Sequence, residues 1–295
     1  MKFYKVLNSE LKSNHSHRQF KYARGTVVDN IPWKRESNSD GGIYFSEMKD
    51  IFRWVTDASE MIVEVSPFGE IVIDEYKRKA HGVKVVSSPI NVVSFLCEHL
   101  WDIIPYHGAA LRWLPDELKT RELYLAAVTQ DGWALLWGPK ALRTKEIYAA
   151  AVEQNPWLFE HVPDEFKTRE MCVRVVARHG WCVKWVPDYF LTEEMCIDAV
   201  SQDAWTISRG AWILPVRFRT MRVYISAVTQ NGLVLPWVPD NVLTEELCLL
   251  SVTQNGMALQ WVPESLKTVA VCRAAVRQNN KAILSVPKHL RSAIL

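Results

Sequence analysis

The sequence predicts a mostly α protein: an α-solenoid of short helix pairs behind a small N-terminal α+β domain. Three observations carry this prediction. A Trp-Val-Pro phrase recurs along the chain, a Thr follows each proline at a fixed distance, and apolar residues recur at helical spacing behind each Thr. The prolines are Pro115, Pro139, Pro163, Pro187, Pro215, Pro239, Pro263 and Pro287, at steps of 24 residues with one step of 28.

Each column of the repeat has a local reason. Thr120, Thr144, Thr168, Thr192, Thr220, Thr244 and Thr268 stand where an N-cap hydroxyl accepts an orphan backbone N–H. Glu122, Glu146, Glu170, Glu194 and Glu246 follow in the first turn, where a carboxylate suits the helix dipole. Val128, Val152, Val176, Val200, Val228, Val252 and Val276 continue an apolar face begun by residues such as Leu123 and Ala127. The stretch ends at Gln-Asn-Gly or a variant, and Gly132, Gly180, Gly232 and Gly256 are expected to be left-handed C-caps. A second short helix then runs from Trp133 toward Trp137 and its equivalents. Two helices this short cannot bury their own apolar faces, so the units must stack.

The array reaches upstream in degraded form. Glu98, Ile104 and Gly108 stand 24 residues before Glu122, Val128 and Gly132, giving a first, atypical unit from about residue 88. The domains expected are a head over 1–86 and a helical-repeat domain of about eight units over 87–295. The single long step carries Thr206 to Trp212, a candidate hinge or contact loop.

The head has a different texture. Met61–Val65 and Glu70–Asp74 read as strands joined by a hairpin at Ser66-Pro67-Phe68-Gly69, and Val83–Val86 as another strand. Gly41–Phe45 reads as a strand leading into a helix over Glu47–Trp54.

Composition bounds the class. The chain has 295 residues, 48% hydrophobic and 23% charged, with a net charge of +2, which suits a globular core and argues against a nucleic-acid coat. The opening Met1–Val6 has no apolar stretch for a signal peptide, and Val223–Pro239, an uncharged run that no other exceeds, is broken by Gln, Asn, Gly and Pro. A cytoplasmic protein with no membrane span is expected. Unpaired thiols at core positions point the same way, to a reducing compartment.

Two family resemblances follow from particular phrases. Phe20-Lys-Tyr22-Ala-Arg-Gly25, Asp29-Asn-Ile31-Pro32, Gly41-Gly42-Ile43-Tyr44-Phe45-Ser46 and Glu64-Val65 resemble an uncharacterised module that heads ankyrin-repeat proteins of giant DNA viruses. The 24-residue unit resembles an uncharacterised helical repeat with an Ala-Val-x-x-Asn-Gly signature, found in bacterial and large-virus proteins. Ala227-Val228-Thr229-Gln230-Asn231-Gly232 is its cleanest copy, and Arg178-His179-Gly180 and Gln202-Asp203-Ala204 depart from it. These resemblances imply a viral or bacterial module with a repeat array in place of ankyrins, and no transferable catalytic residue.

Candidate chemistry is sparse. Cys172, Cys196, Cys248 and Cys272 share one column with Tyr124, Tyr148 and Tyr224, which marks a packing position rather than a zinc ligand set. His15-Ser16-His17 lacks further ligands at metal spacing. No Gly-x-Gly-x-x-Gly, Gly-Lys-Ser/Thr or Gly-x-Ser-x-Gly motif occurs, and neither a cofactor nor a metal is expected. One enzymatic alternative stands on loose similarity to compact ADP-ribosyltransferase-like folds: Tyr44 stacking on a nicotinamide, with Glu64 or Glu70 as the carboxylate. The competing reading has Tyr44 and Phe45 straddling a sheet and Glu64 on the solvent side of a strand.

The repeats offer a surface instead. Lys119, Arg143 and Lys167 stand four residues after a proline and Arg121, Lys145 and Arg169 two residues later, so stacking predicts a basic ridge. Its dipole sense is unfavourable at a helix N-terminus, so helix stability does not explain it. With Arg209 and Trp212 from the long step, these are the candidate partner-binding residues. An acidic protein surface fits better than nucleic acid, because the ridge lacks interleaved aromatics. Nine of the thirteen tryptophans fall in two repeat columns, Trp113, Trp137, Trp185, Trp237 and Trp261 in one and Trp133, Trp157, Trp181 and Trp205 in the other, and are expected to fill gaps between stacked helices. The function expected is non-catalytic binding of another protein, a host factor if the viral resemblance holds. The alternative is an ADP-ribosyl-transferring or NAD-cleaving enzyme with the array selecting its target.

Overall fold

The computed structural model describes residues 2–13, 22, 25–28, 43–57, 60–207 and 214–294. The protein is mostly helical and falls into two compact units, Met1–Asn155 and Pro156–Leu295. The first opens with an antiparallel sheet built from β1 (Phe3–Leu7), β2 (Gly25–Val28), β3 (Ile43–Glu47), β4 (Met61–Ile73), β5 (Arg78–Val85) and β6 (Ile90–Asn91). β1 pairs with β3 and β4, and β5 pairs with β3 and β4, so these four strands close a ring. β2 and β6 extend it as partners of β5 and β4. Alternation along each strand fills the interior with Leu7, Ile43, Phe45, Val63, Val65, Ala80, Val83 and Val85, joined by Tyr22. A short helix, α1 (Met48–Ile51), follows β3 directly, as the sequence suggests.

The expected hairpin at Ser66–Gly69 is not a turn. β4 runs unbroken through it, and the pairing with β5 shifts register between Phe68 and Ile71. Gly69 has φ +81, a left-handed conformation that lets a strand bulge without a side-chain clash. The chain reverses instead after Asp74, whose N–H donates to the Lys77 carbonyl at 2.9 Å.

From Val92 onward the described residues form helices joined by short turns. In the first unit come α2 (Val92–Glu98), α3 (Leu100–Ile103), α4 (Arg121–Gln130) and α5 (Lys145–Gln154). The atypical first repeat breaks its helix at His99, between α2 and α3. The second unit holds α6 (Arg169–Arg178), α7 (Glu193–Gln202), α8 (Met221–Gln230), α9 (Glu245–Gln254), α10 (Val269–Gln278) and the short α11 (Arg291–Ile294). Each ten-residue helix is followed by a 3₁₀ helix, such as Gly180–Trp185 or Gly256–Trp261, and a second single 3₁₀ turn follows the proline, except after Pro187, where residues 188–190 form a turn.

The caps fall as the sequence predicts at the helix starts. Thr120, Thr168, Thr192, Thr220, Thr244 and Thr268 each accept from the N–H three residues on, and Thr144 does not. Each helix buries one stripe: Leu247, Cys248, Ser251 and Val252 in α9.

The helix ends correct the expectation of a left-handed glycine. None of Gly132, Gly180, Gly232 and Gly256 has positive φ. The residue before each terminates the α-helix in extended conformation, as Asn255 does at φ −147. The side chains of Asp131, Asn231, Asn255 and Asn279 then cap the following 3₁₀ helix, accepting from the N–H two residues on. Glycine follows because the next repeat's backbone is too close for anything larger. A Cβ on Gly180, Gly232 or Gly256 would lie 2.2 to 2.3 Å from the carbonyl oxygen of Ala199, Ser251 or Ala275.

The last residue of the α-helix links consecutive repeats. The Gln154 side-chain oxygen accepts from Gly132 N–H at 2.8 Å, Gln202 from Gly180 at 3.0 Å, Gln254 from Gly232 at 2.6 Å and Gln278 from Gly256 at 2.6 Å. The same amides of Gln254 and Gln278 donate to the carbonyls of Gln230 and Gln254. Gln-Asn-Gly is therefore a stacking device, one residue each for ladder, cap and close approach.

Candidate partner-binding surface

The cations behind each proline do not all face solvent. Lys119 is buried, and its ammonium donates to Asp116 at 2.7 Å and to the Trp137 carbonyl at 2.8 Å. Lys167 repeats this with Asp164 at 2.9 Å and the Trp185 carbonyl at 2.8 Å. Arginine at the same column folds back instead: Arg143 donates to the Gly138 carbonyl at 3.2 Å, and Arg219 to that of Leu214 at 3.0 Å. These cations satisfy orphan carbonyls where a 3₁₀ helix ends, which is why they stand at the wrong pole of the next α-helix. Lys119 and Lys167 thus leave the expected ridge. Arg121, Lys145 and Arg169 are exposed, and Arg121 pairs with Glu146 at 2.6 Å. Arg209 and Trp212 lie outside the described residues, as does most of the long step.

The tryptophans correct a second expectation. Rather than filling gaps between helices, several stand out into solvent from the 3₁₀ helices: Trp157 is 56% exposed, Trp237 42%, Trp261 41% and Trp205 38%, all in the second unit. Burial falls instead to their small and aliphatic neighbours, such as Ala258 and Leu259 beside Trp261. The rings gather in two places. Trp157 stacks on Trp181 at 4.0 Å between centroids with Trp185 edge-on to Trp181 at 5.2 Å, and Trp205 meets Trp237 edge-on at 5.2 Å.

The thiols are core groups. Cys172, Cys182, Cys196, Cys248 and Cys272 are buried, and burial pushes Cys172 and Cys248 up to about 11 and Cys182 and Cys196 up to about 12. In the same column Tyr124 is buried with its hydroxyl donating to the Leu135 carbonyl at 2.7 Å. Among the described residues no group of three or more His, Cys, Asp or Glu could hold a metal ion. His15 and His17 lie outside the described residues.

In the head, Ile43 and Phe45 point into the ring and Tyr44 outward, half-buried, with the ammonium groups of Lys77 and Lys79 at 5.2 and 5.7 Å from its ring centroid. Glu64 is on the outward face of β4, 3.3 Å from Lys2, and Glu70 is exposed at the bulge. Gly41 and Gly42 lie outside the described residues. Inside the ring sits a cation that sequence reading missed: Lys5, opposite Val63 on β1, is buried and donates to the Tyr44 carbonyl at 2.7 Å. Burial lowers it to about 8. Strand alternation from Leu7 could have placed it inward.

No helix among the described residues is long and apolar enough to cross a membrane. A family model, Domain of unknown function (DUF4116), matches residues 144–191 and 244–291. Both matches fall on the repeats, and each spans two of the 24-residue units. No curated protein and no solved structure matches the chain.

Proposed function

We propose that the chain is a non-catalytic interaction protein whose repeat array binds another protein. The observation that carries this reading is the row of exposed tryptophans on the 3₁₀ helices of the second unit, in positions that the packing leaves free to be polar. Indole rings outside a core are large, rigid anchors that lose little entropy on binding, and they dominate protein interfaces. Exposed Arg121 and Lys145 in the first unit and Arg169 in the second add positive charge. On the resemblance of the head to viral modules, the partner is a host factor that the protein recruits or inhibits.

Affinity capture tests the reading. The wild-type chain should recover a stoichiometric partner from host lysate, and a Trp157→Ala/Trp237→Ala/Trp261→Ala variant that melts normally should not. Equal recovery of the same proteins by both would contradict it. Incubation with labelled NAD separates the enzymatic alternative: label transfer that Tyr44→Ala abolishes would favour that alternative.

A further inference from the structure

The joint between the head and the first repeat holds one histidine in an unusual setting. His107 stands in the column where Asp131, Asp203, Asn231, Asn255 and Asn279 cap the 3₁₀ helix behind them, each accepting from the N–H two residues on. Histidine occupies that column at 107 and at 179, and neither of the two caps. His107 turns to the head instead. Its ring hydrogen-bonds to the Lys49 backbone in α1, the head helix that packs on α3. The chain beneath the ring is fixed: His107 N–H donates to the Ile103 carbonyl at 2.9 Å, and its own carbonyl accepts from Ala110 at 3.0 Å. On the other side Gly108 N–H donates to Gln130 at 2.6 Å, so the ladder of the repeats anchors the same turn.

Two acceptors are sealed into this joint with no donor among the described residues. His107 Nε2 and Asp50 Oδ2 are both closed to solvent and unpaired, and Asp50 is 7% exposed. With Nε2 unpaired, the contact with Lys49 runs through Nδ1, which selects the neutral ring with its proton on that atom. A second proton at Nε2 would arrive next to a fixed cation. The Arg53 guanidinium is 3.7 Å from the Tyr76 ring centroid and 3.7 Å from Asp50 Oδ1. Burial first, then Arg53, hold His107 below its ordinary 6.5, while the Lys49 backbone and Asp50 oppose them less. The other charged groups on the elements around it are engaged elsewhere. Lys49 meets Glu47 at 3.8 Å, His99 meets Asp102 at 3.5 Å, Arg112 lies over the Trp113 ring, and Asp131 is a cap; Glu98 on α2 is exposed.

We propose that His107 is an acid-sensitive latch between the head and the repeat array: the neutral ring closes the joint, and its protonation loosens it. The sense follows from linkage. A histidine that binds its proton more weakly in the folded chain leaves the joint at full strength above pH 6.5 and weakens it as pH falls below that value. This window is separate from that of Lys5, whose pKa moves between 10.5 and about 8.

Hydrogen exchange of the full chain at pH 7.5 and pH 5.0, corrected for the intrinsic rates, tests the latch. Protection over residues 47–54 and 100–113 should fall by about threefold or more in acid. His107→Asn supplies the cap of the other repeats and takes no proton in this range, so its protection there should not change with pH. His179→Asn, the same exchange in the second unit, should still lose protection at the joint as the wild type does. No acid loss in the wild type, or an equal loss in His107→Asn, would overturn the proposal. The wild-type chain gives a second measurement that needs no variant to fold. The imidazole NMR signals of His107 should titrate with a midpoint below 6.5, and a midpoint at or above 6.5 would overturn the latch on its own.

Discussion

Two repeats of the second unit differ in a way that separates what the fold needs from what it does not. In the repeat that begins at Gly232, the glycine lets the α9 backbone come close and donates to Gln254, and Asn231 caps the 3₁₀ helix. In the one that begins at Pro156, the donor is missing, Arg178 with no acceptor stands in the place of the glutamine, and the next cap position is His179. Both sites form the same helices. The ladder and cap therefore add stability to an architecture that the buried Leu, Val, Ala and Cys stripes already specify.

The sharpest contrast lies in close approach. Gly232→Ala puts a Cβ 2.2 Å from the Ser251 carbonyl oxygen, and because that neighbour is backbone the loss should be about 3 kcal/mol in urea unfolding. Pro156→Ala should cost less than about 1 kcal/mol, since no such demand applies there. Equal effects at the two positions would erase the comparison.

A similar contrast separates the head from the repeats. Lys119 and Lys167 are buried with a carboxylate and a carbonyl each, whereas the Lys5 ammonium inside the ring has the Tyr44 carbonyl and the Tyr22 ring 5.3 Å away. Folding lowers the Lys5 pKa from 10.5 to about 8, so the unfolded chain holds the extra proton between those values. The cost is fully present below pH 8 and disappears as pH rises to 10.5, a gain of about 3 kcal/mol from this group. Lys5→Met should flatten that rise in a pH series of denaturation midpoints, and stabilise the head at neutral pH by roughly 2 kcal/mol.

Smaller effects belong to the ladder and caps. Gln254→Ala should cost about 1 kcal/mol by leaving Gly232 N–H without its acceptor. In the irregular repeat, Pro156→Gly and Arg178→Gln should each do little, while the pair together should gain about 1 kcal/mol beyond their sum. A strictly additive cycle would mean that the ladder is not the reason for the two exchanges. His179→Asn should gain about 0.5 kcal/mol by restoring a cap.

Much of this was legible in the sequence. The period, the Thr caps, the buried stripe and the Cys/Tyr column follow from residue spacing, because each is fixed within one helix. What failed concerned contacts made across repeats. Glycine after Asn reads as a left-handed cap from local propensity, yet Gly232 is there for a carbonyl of the next repeat. Lys119 and Lys167 read as a solvent ridge because nothing local reveals that a carbonyl 18 residues on receives them. The tryptophans read as packing because they are large and periodic, but Trp157 and Trp261 stand partly in solvent while their small and aliphatic neighbours are buried. In the head, the Gly69 bulge was mistaken for a turn because both use a positive-φ glycine.

The most direct test of whether the ladder and cap stabilise the stack is to return the irregular repeat to the array's own pattern. Pro156→Gly/Arg178→Gln/His179→Asn should raise stability by about 1 kcal/mol in urea unfolding. A variant no more stable than the wild type would contradict the account.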